Sequence, residues 1–261
     1  MDVSAISARL AGLPIREVRY FEVTGSTNDE ALRWASAGAA DGCVVIANQQ
    51  TSGRGRLGRR WFTNPGSGLA FSLVLLPSSD EQARTSYFTA LGALAVCRAI
   101  ETLAGVPAQI KWPNDILLQK KKTAGVLVEA NWFGETIQNL VIGIGVNVTA
   151  ESVPPPGELF FPATSLEEAA GKPVDRLDLL REILSGIYSW RAVLHEGVFH
   201  STWDERIAFK GEWVSLENAA GEEALQGQVV GLDDSGSLVL RTLSGKNVCA
   251  TVGDLKLRPF Q

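Results

Sequence analysis

Four arginines set among three glycines, Gly53-Arg54-Gly55-Arg56-Leu57-Gly58-Arg59-Arg60, make up the most chemically pointed stretch of this sequence. Guanidinium forks bind phosphate oxygens through paired, charge-assisted hydrogen bonds, and glycines let backbone amides close on a ligand. Gln49-Gln50 before the stretch and Trp61-Phe62 after it add amide donors and an aromatic platform. Taken alone, the stretch also reads as a solvated flexible loop; its flanks favour phosphate binding. It matches the GxGxxG dinucleotide pattern, but the following Arg59-Arg60-Trp61-Phe62-Thr63-Asn64-Pro65-Gly66 cannot open the helix such a turn requires. A phosphate loop of the GK[ST] type is excluded, because Gly171-Lys172 and Gly245-Lys246 precede Pro173 and Asn247.

Two further clusters could carry chemistry. Lys111-Trp112-Pro113-Asn114-Asp115 reads as a tight turn bearing an amide and a carboxylate, followed by Lys120-Lys121-Lys122 and Thr123-Ala124-Gly125. A cation at Lys122, next to small residues, could neutralise a carboxylate attacking phosphorus; the plainer reading is a turn followed by a charged hairpin tip, and Lys120 and Lys121 fit that. Gly143-Ile144-Gly145-Val146-Asn147 places glycines inside an apolar strand, where they cost stability unless a backbone or a ligand approaches closely.

The elements that must position these residues follow from periodicity. Residues 18–23 alternate as a strand, and Ser26-Thr27-Asn28 caps a helical pattern over 31–37. Strands are expected at 43–47, 69–76, 110–112, 116–118, 125–131 and 140–148, and helices at 87–103 and 177–194. Without a regular βαβ repeat, this mixture predicts an α+β fold, a mixed sheet packed with helices. The Pro154-Pro155-Pro156-Gly157 run predicts a stiff surface connection. From about residue 207 the texture becomes short alternating segments, 213–216, 225–230, 238–240 and 246–252, which predict a small β barrel and a division into 1–206 and 207–261.

Composition limits the rest. The 261 residues are 45% apolar, enough for a large core. A net charge of −5 argues against a general nucleic-acid or membrane surface, so any basic site is local. No secretory signal and no apolar stretch of membrane-span length is read, and Cys43, Cys97 and Cys249 form neither a metal pair nor a disulfide framework, so a reducing cytoplasm is expected. Trp34, Trp132, Trp190, Trp203 and Trp213 are expected to be packing residues, and His195 and His200 to lie on a surface helix without a metal role.

Taken together and in order, Ser26-Thr27-Asn28, Gln50 with the 53–59 loop, the 111–115 turn, Lys122-Thr123-Ala124-Gly125 and the 143–147 strand resemble the biotin protein ligases over almost the whole chain. The resemblance implies a catalytic domain like that of class II aminoacyl-tRNA synthetases with a small C-terminal SH3-like β barrel. It implies a reaction in which biotin and ATP, with Mg²⁺ on the ATP phosphates, form biotinyl-5′-adenylate, and a lysine of the biotin carboxyl carrier protein of acetyl-CoA carboxylase or a related carboxylase takes the biotinyl group. Biotin would then be bound by Ser26, Thr27, Asn28, Gln50, Arg54, Gly55, Arg56, Lys122, Gly125, Gly143 and Gly145. ATP and the adenylate would be held by Arg54, Arg56, Arg59, Trp61, Lys111, Asn114, Asp115, Lys122 and Asn147, with Lys122, Arg54 and Asp115 central to catalysis. The metal ligands stay unassigned. Members occur as monomers or as homodimers. Bifunctional members carry a winged helix-turn-helix ahead of the catalytic domain; only 25 residues precede Ser26 here, so specific DNA binding is not expected. A lipoate or octanoate ligase is the nearest alternative, and a DNA-binding sensor of biotinyl-adenylate the alternative of another class. Leu57 stands where some relatives have a charged residue.

Overall fold

The computed structural model describes residues 2–155, 161–217, 223–250 and 256–259. Its main sheet has seven strands: β1 (Glu17–Thr24), β2 (Cys43–Gln50), β3 (Gly68–Leu75), β4 (Gln109–Lys111), β5 (Asp115–Leu118), β6 (Lys121–Phe133) and β7 (Thr136–Asn147). Their order is β1-β2-β3-β7-β6-β5-β4, with β1 and β2 parallel and the other neighbours antiparallel. The helices are α1 (Val3–Arg9), α2 (Thr27–Ser36), α3 (Ser79–Gln82), α4 (Tyr87–Ala104), α5 (Leu166–Ala170), α6 (Arg176–Arg191) and α7 (Gly197–Glu205). The second sheet, order β11-β10-β9-β8-β12, comprises β8 (Trp213–Glu217), β9 (Glu223–Leu232), β10 (Leu238–Arg241), β11 (Asn247–Ala250) and β12 (Lys256–Pro259). The expected mixed sheet with helices and small C-terminal β unit is thus present, with β12 an addition. Residues 251 and 252 of the strand expected over 246–252, and 156 and 157 of the proline run, lie outside the described residues.

Strand alternation decides which side of the sheet can hold a site. On β2, β3 and β7, Val44, Ile46, Phe71, Leu73, Ile142, Ile144 and Val146 point into the main core with α4 and α6, whereas Val45, Val74 and Val141 meet α2 on the other face. Ser72, Gly143, Gly145 and Asn147 share the α2 parity, so polar and small residues gather on that face at the end of α2. Helix α4 is long and apolar enough to cross a membrane, contrary to the sequence expectation, yet 72% of it is buried inside the protein. Its apolarity is explained by its place at the centre of the core. Trp132 departs from the expected burial: it is 60% exposed and its neighbour Phe133 78%, because β6 runs on to the hairpin tip beyond the helices that cover the sheet. Of the two histidines, His195 is exposed in a turn and only His200 is helical.

The two sheets share one core. Val214, Leu216, Val229, Leu238 and Leu240 belong to the same apolar cluster as α4 and α6, and Ile110 of β4 pairs with Ile207. The turn between β9 and β10 supplies backbone acceptors to side chains around the main sheet: Trp112 Nε1 donates to Gly236 O at 3.1 Å, Tyr87 Oη to Asp234 O at 2.8 Å, and His200 Nε2 lies 2.7 Å from Asp233 O. Trp112→Phe keeps an aromatic ring but is smaller and lacks the indole N–H, so it opens space and orphans the buried Gly236 carbonyl, at an expected cost of at least about 1–3 kcal/mol in urea unfolding. On the opposite side Arg191 bonds Glu81 through Nε (2.6 Å) and Nη2 (2.9 Å), Asp41 (2.8 Å) and Leu76 O (2.9 Å), tying α6 to α3 and the end of β3. Burial pushes the Glu81 carboxyl up, but Arg191 and the Ser78 backbone more than offset this and hold it below the usual glutamate range. The stabilisation is therefore present above the unfolded value of about 4.3 and lost as pH falls through the lower folded value. Arg191→Met should cost about 3–5 kcal/mol at pH 7 and flatten the fall in stability below pH 4, as followed by denaturant titration at several pH values.

Candidate active site

A cleft of about 980 Å³ opens on the α2 face, large enough for two small ligands side by side. Every residue singled out in the sequence for binding or catalysis lines it: Ser26, Thr27, Asn28, Gln50, Arg54, Gly55, Arg56, Arg59, Trp61, Lys111, Asn114, Asp115, Lys122, Gly125, Gly143, Gly145 and Asn147.

The N-terminus of α2 forms one end. Ser26 stands at the N-cap but makes no side-chain cap bond; Gln50 Oε1 instead accepts from the Thr27 amide (2.8 Å) and lies 3.1 Å from Thr27 Oγ1. Beneath them Ser72 Oγ, fully buried on β3, bonds Thr27 Oγ1 (2.8 Å) and Asn28 Oδ1 (2.6 Å). The strand glycines explain the close fit. A Cβ at Gly143 would stand 1.9 Å from Asn28 Oδ1, and one at Gly145 2.3 Å from the Trp61 ring. The close approach anticipated at these glycines is made by the protein's own side chains.

Charge concentrates at the other end. Asp115, 6% exposed at the start of β5, has Lys122 Nζ 2.6 Å from Oδ1 and Lys111 Nζ 3.7 Å from Oδ2. Burial raises its carboxyl, but Lys122 and Lys111 pull it below the ordinary aspartate range, so it is ionised at neutral pH. Two lysines and one carboxylate leave one net positive charge in a partly dry cleft, which suits an anion. Lys122 is fixed from the far side: its amide donates to Pro162 O (2.7 Å) and its carbonyl accepts from Thr164 N (2.9 Å). Its Nζ sits 5.5 Å from the Trp61 ring centre. Asn114 Nδ2 donates to Val126 O (3.0 Å) and Asn147 Nδ2 to Thr164 O (3.3 Å), so both amides also brace the walls. Lys120, read as a bare hairpin-tip charge, pairs with Glu212 at 2.8 Å.

The arginine loop rises from a narrow base. Arg54 pairs with Arg60 as an antiparallel bridge, Gly55 N donates to Arg59 O (2.7 Å) and Trp61 N to Gly53 O (2.8 Å). At its tip Arg56–Gly58 forms a 3₁₀ turn in which Leu57 has φ of 59° and Gly58 of 69°. A left-handed conformation at leucine costs of order 1 kcal/mol, so the tip holds a small local strain.

Sequence reasoning missed part of the lining. Leu127, Phe161 and Ala163 supply apolar wall, and Pro154, expected in a surface connection, belongs to it too. Phe161 lies 4.8 Å from Lys111 Nζ. Asp29 and Glu129, which bind Arg54 at 2.6 and 2.9 Å, were also not singled out. Their positions in an amphipathic helix and an alternating strand gave no local signal. Among the described residues no group of three or more His, Cys, Asp or Glu could hold a metal ion.

Comparison with known proteins agrees with this geometry. Residues 20–147 match the biotin/lipoate A/B protein ligase family. The biotin–[acetyl-CoA-carboxylase] ligase of Paracoccus denitrificans is 35% identical over 234 residues, 86% of this chain and 94% of that protein. The bifunctional ligase/repressor BirA of Bacillus subtilis (strain 168) is 36% identical over 229 residues, 87% of this chain and 70% of that protein. Among solved structures, the biotin protein ligase from Aquifex aeolicus in complex with biotin and ATP superposes with a TM-score of 0.80 at 30% identity, covering 94% of this chain and all of that one. Identity at this level, sustained across nearly the full length of a relative and joined to the same fold, means that the chain belongs to the biotin protein ligases.

Proposed function

We propose that the cleft joins biotin to ATP and that the residues lining it divide the work as follows. Ser26, Thr27, Asn28 and Gln50 hold biotin at the α2 end, with Gly125, Gly143 and Gly145 bringing backbone close. A biotin carboxylate oxygen attacks the α-phosphorus of ATP and pyrophosphate leaves, giving biotinyl-5′-adenylate. Lys122 neutralises the charge that accumulates between carboxylate and phosphate, and Asp115 holds Lys122 in place. Arg54, Gly55, Arg56 and Arg59 close over the adenylate and exclude water, Trp61 stacks near the adenine, and Lys111, Asn114 and Asn147 face the phosphates. The amine of a carrier-protein lysine then attacks the acyl carbon and AMP leaves. The carrier domain of a biotin-dependent carboxylase fits as acceptor, in keeping with the name of the Paracoccus relative, and a cytoplasmic location suits these substrates.

The observation that carries this reading is the buried Lys122–Asp115–Lys111 group beside a glycine-lined floor, net positive where two anions must meet. Mg²⁺ supplies charge neutralisation on the ATP phosphates when bound. Asp115 is the single carboxylate in the lining among the described residues and both its oxygens face lysines, so the fit is to an ion held chiefly by ATP oxygens and water. The division into a catalytic unit, 1–206, and a β module, 207–261, accords with the two sheets, the module bracing the 111–115 turn through Trp112.

Purified protein with ATP, Mg²⁺, biotin and a carboxylase carrier domain should release pyrophosphate and yield a biotinylated lysine; product with lipoate and none with biotin would overturn the reading. Lys122→Ala should lower the rate of adenylate formation by about 100- to 1,000-fold, a loss typical of one stabilising group at a charged transition state, and should also lower the melting temperature, because Asp115 loses its nearer partner, while circular dichroism stays native. Gly143→Ala forces Asn28 from its seat, so the KM for biotin should rise about tenfold while that for ATP stays within twofold, read by pyrophosphate exchange.

A further inference from the structure

The polar floor of the cleft continues beyond it. Asn28 is gripped at both ends of its amide: Oδ1 accepts from Ser72 at 2.6 Å, while Nδ2 donates to Glu129 Oε2 at 2.7 Å and contacts Leu127 O at 3.4 Å. A carboxylate only accepts, so Glu129 fixes which way the amide points. The same carboxylate receives the Arg54 guanidinium as a fork, Nη1 to Oε1 and Nη2 to Oε2, each at 2.9 Å, and Asp29 Oδ1 takes a further bond from Nη2 at 2.6 Å. Exposed ion pairs usually contribute little, and Arg54 is 40% exposed. Two-point geometry and a shared network are the exceptions to that rule, and both hold here.

The placement of the partners gives the arrangement its meaning. Asn28 and Asp29 lie in the first turn of α2, Arg54 at the base of the arginine loop, and Glu129 on β6 past the last residue paired with β5. One carboxylate thus joins the end of the pocket to the hinge of the loop.

We infer that Glu129 is a positioning residue for acid activation: it orients the Asn28 amide in the pocket and pins the loop base through Arg54, keeping pocket and loop in register. The inference rests on reading the cleft as the site of biotin activation. It also changes the part played by Arg54, whose guanidinium meets two carboxylates and so anchors the loop, leaving the phosphates to Arg56 and Arg59.

Glutamine at position 129 keeps the shape but loses the charge and one acceptor: with its oxygen at the Oε2 place it keeps a weaker, neutral bond from Asn28 and one from Arg54 while its amide nitrogen meets Nη1 donor to donor, and in the other flip it loses both bonds made at Oε2. Asp29 touches Arg54 and not Asn28, so the two substitutions separate the two functions. The experiment measures the KM for biotin and for ATP by pyrophosphate exchange, and the release rate of preformed biotinyl-adenylate, in the wild type, Glu129→Gln and Asp29→Asn, with thermal unfolding of each. Glu129→Gln should raise the KM for biotin about tenfold, leave that for ATP within twofold and speed adenylate release about tenfold, the weight of one charge-assisted hydrogen bond. Asp29→Asn should speed release while leaving the KM for biotin within twofold. If Glu129→Gln fails to fold, Glu129→Asp, which keeps the charge at a shorter reach, should show the same pattern at smaller amplitude. Wild-type values in the position 129 variants, or equal changes in the KM for biotin at positions 29 and 129, would overturn the inference. A wild-type protein without biotin-dependent exchange would instead defeat the ligase reading and leave the Glu129 contacts as structural ones.

Discussion

A carboxylate as deeply enclosed as that of Asp115 stays charged only while cations are held against it, and much of the molecule serves to hold them. Lys122 comes from the start of β6 and is strapped by the backbone of Pro162 and Thr164; Lys111 comes from the end of β4 and lies against Phe161. The turn that carries Asp115 is fastened by Asn114 to Val126 and by Trp112 to Gly236. Remove any of these supports and a buried charge loses its partner. The same group meets the demand of the chemistry, because a site that must bring two anions together needs a fixed excess of positive charge and little water to screen it.

The other end of the cleft answers a different constraint, that of space. Glycine at 143 and 145 lets Asn28 and Trp61 pack directly on the β7 backbone. The alternation that sends Ile144 and Val146 into the core is what leaves 143, 145 and 147 facing the ligand side. Strand parity therefore builds core and pocket from consecutive residues of one strand.

That is also why the site was so legible in the sequence and the fold only partly so. Residues that line the cleft sit in short blocks whose types are unusual for their context, such as glycine in an apolar strand or four arginines in an acidic protein. Glu129, Asp29 and Ser72 act on those residues from inside ordinary patterns, where a charge on an exposed helix turn or a serine in a strand raises no question. Long elements such as α4 and α6 announced themselves by period, whereas α1, α3 and α5, of 7, 4 and 5 residues, span two turns or fewer and leave too little pattern to read. Trp132 was misplaced for a related reason: alternation continues to the end of β6, but the layer of helices covering the sheet stops before it. The first residue of β6 was hidden because Lys121, beside Lys120, read as part of a charged hairpin tip.

The bond from Trp112 to Gly236 spans 124 residues of sequence. Synthesis proceeds from the N-terminus, so a growing chain has emerged through Asn147, with every residue lining the α2 end, Asp115 and both lysines, well before it has made the carbonyl that braces the catalytic turn. Phe199 and Trp203 of α7, whose rings pack on Tyr87, also arrive late. The timing of translation thus withholds the Trp112 brace from the nascent chain until the second sheet has been made.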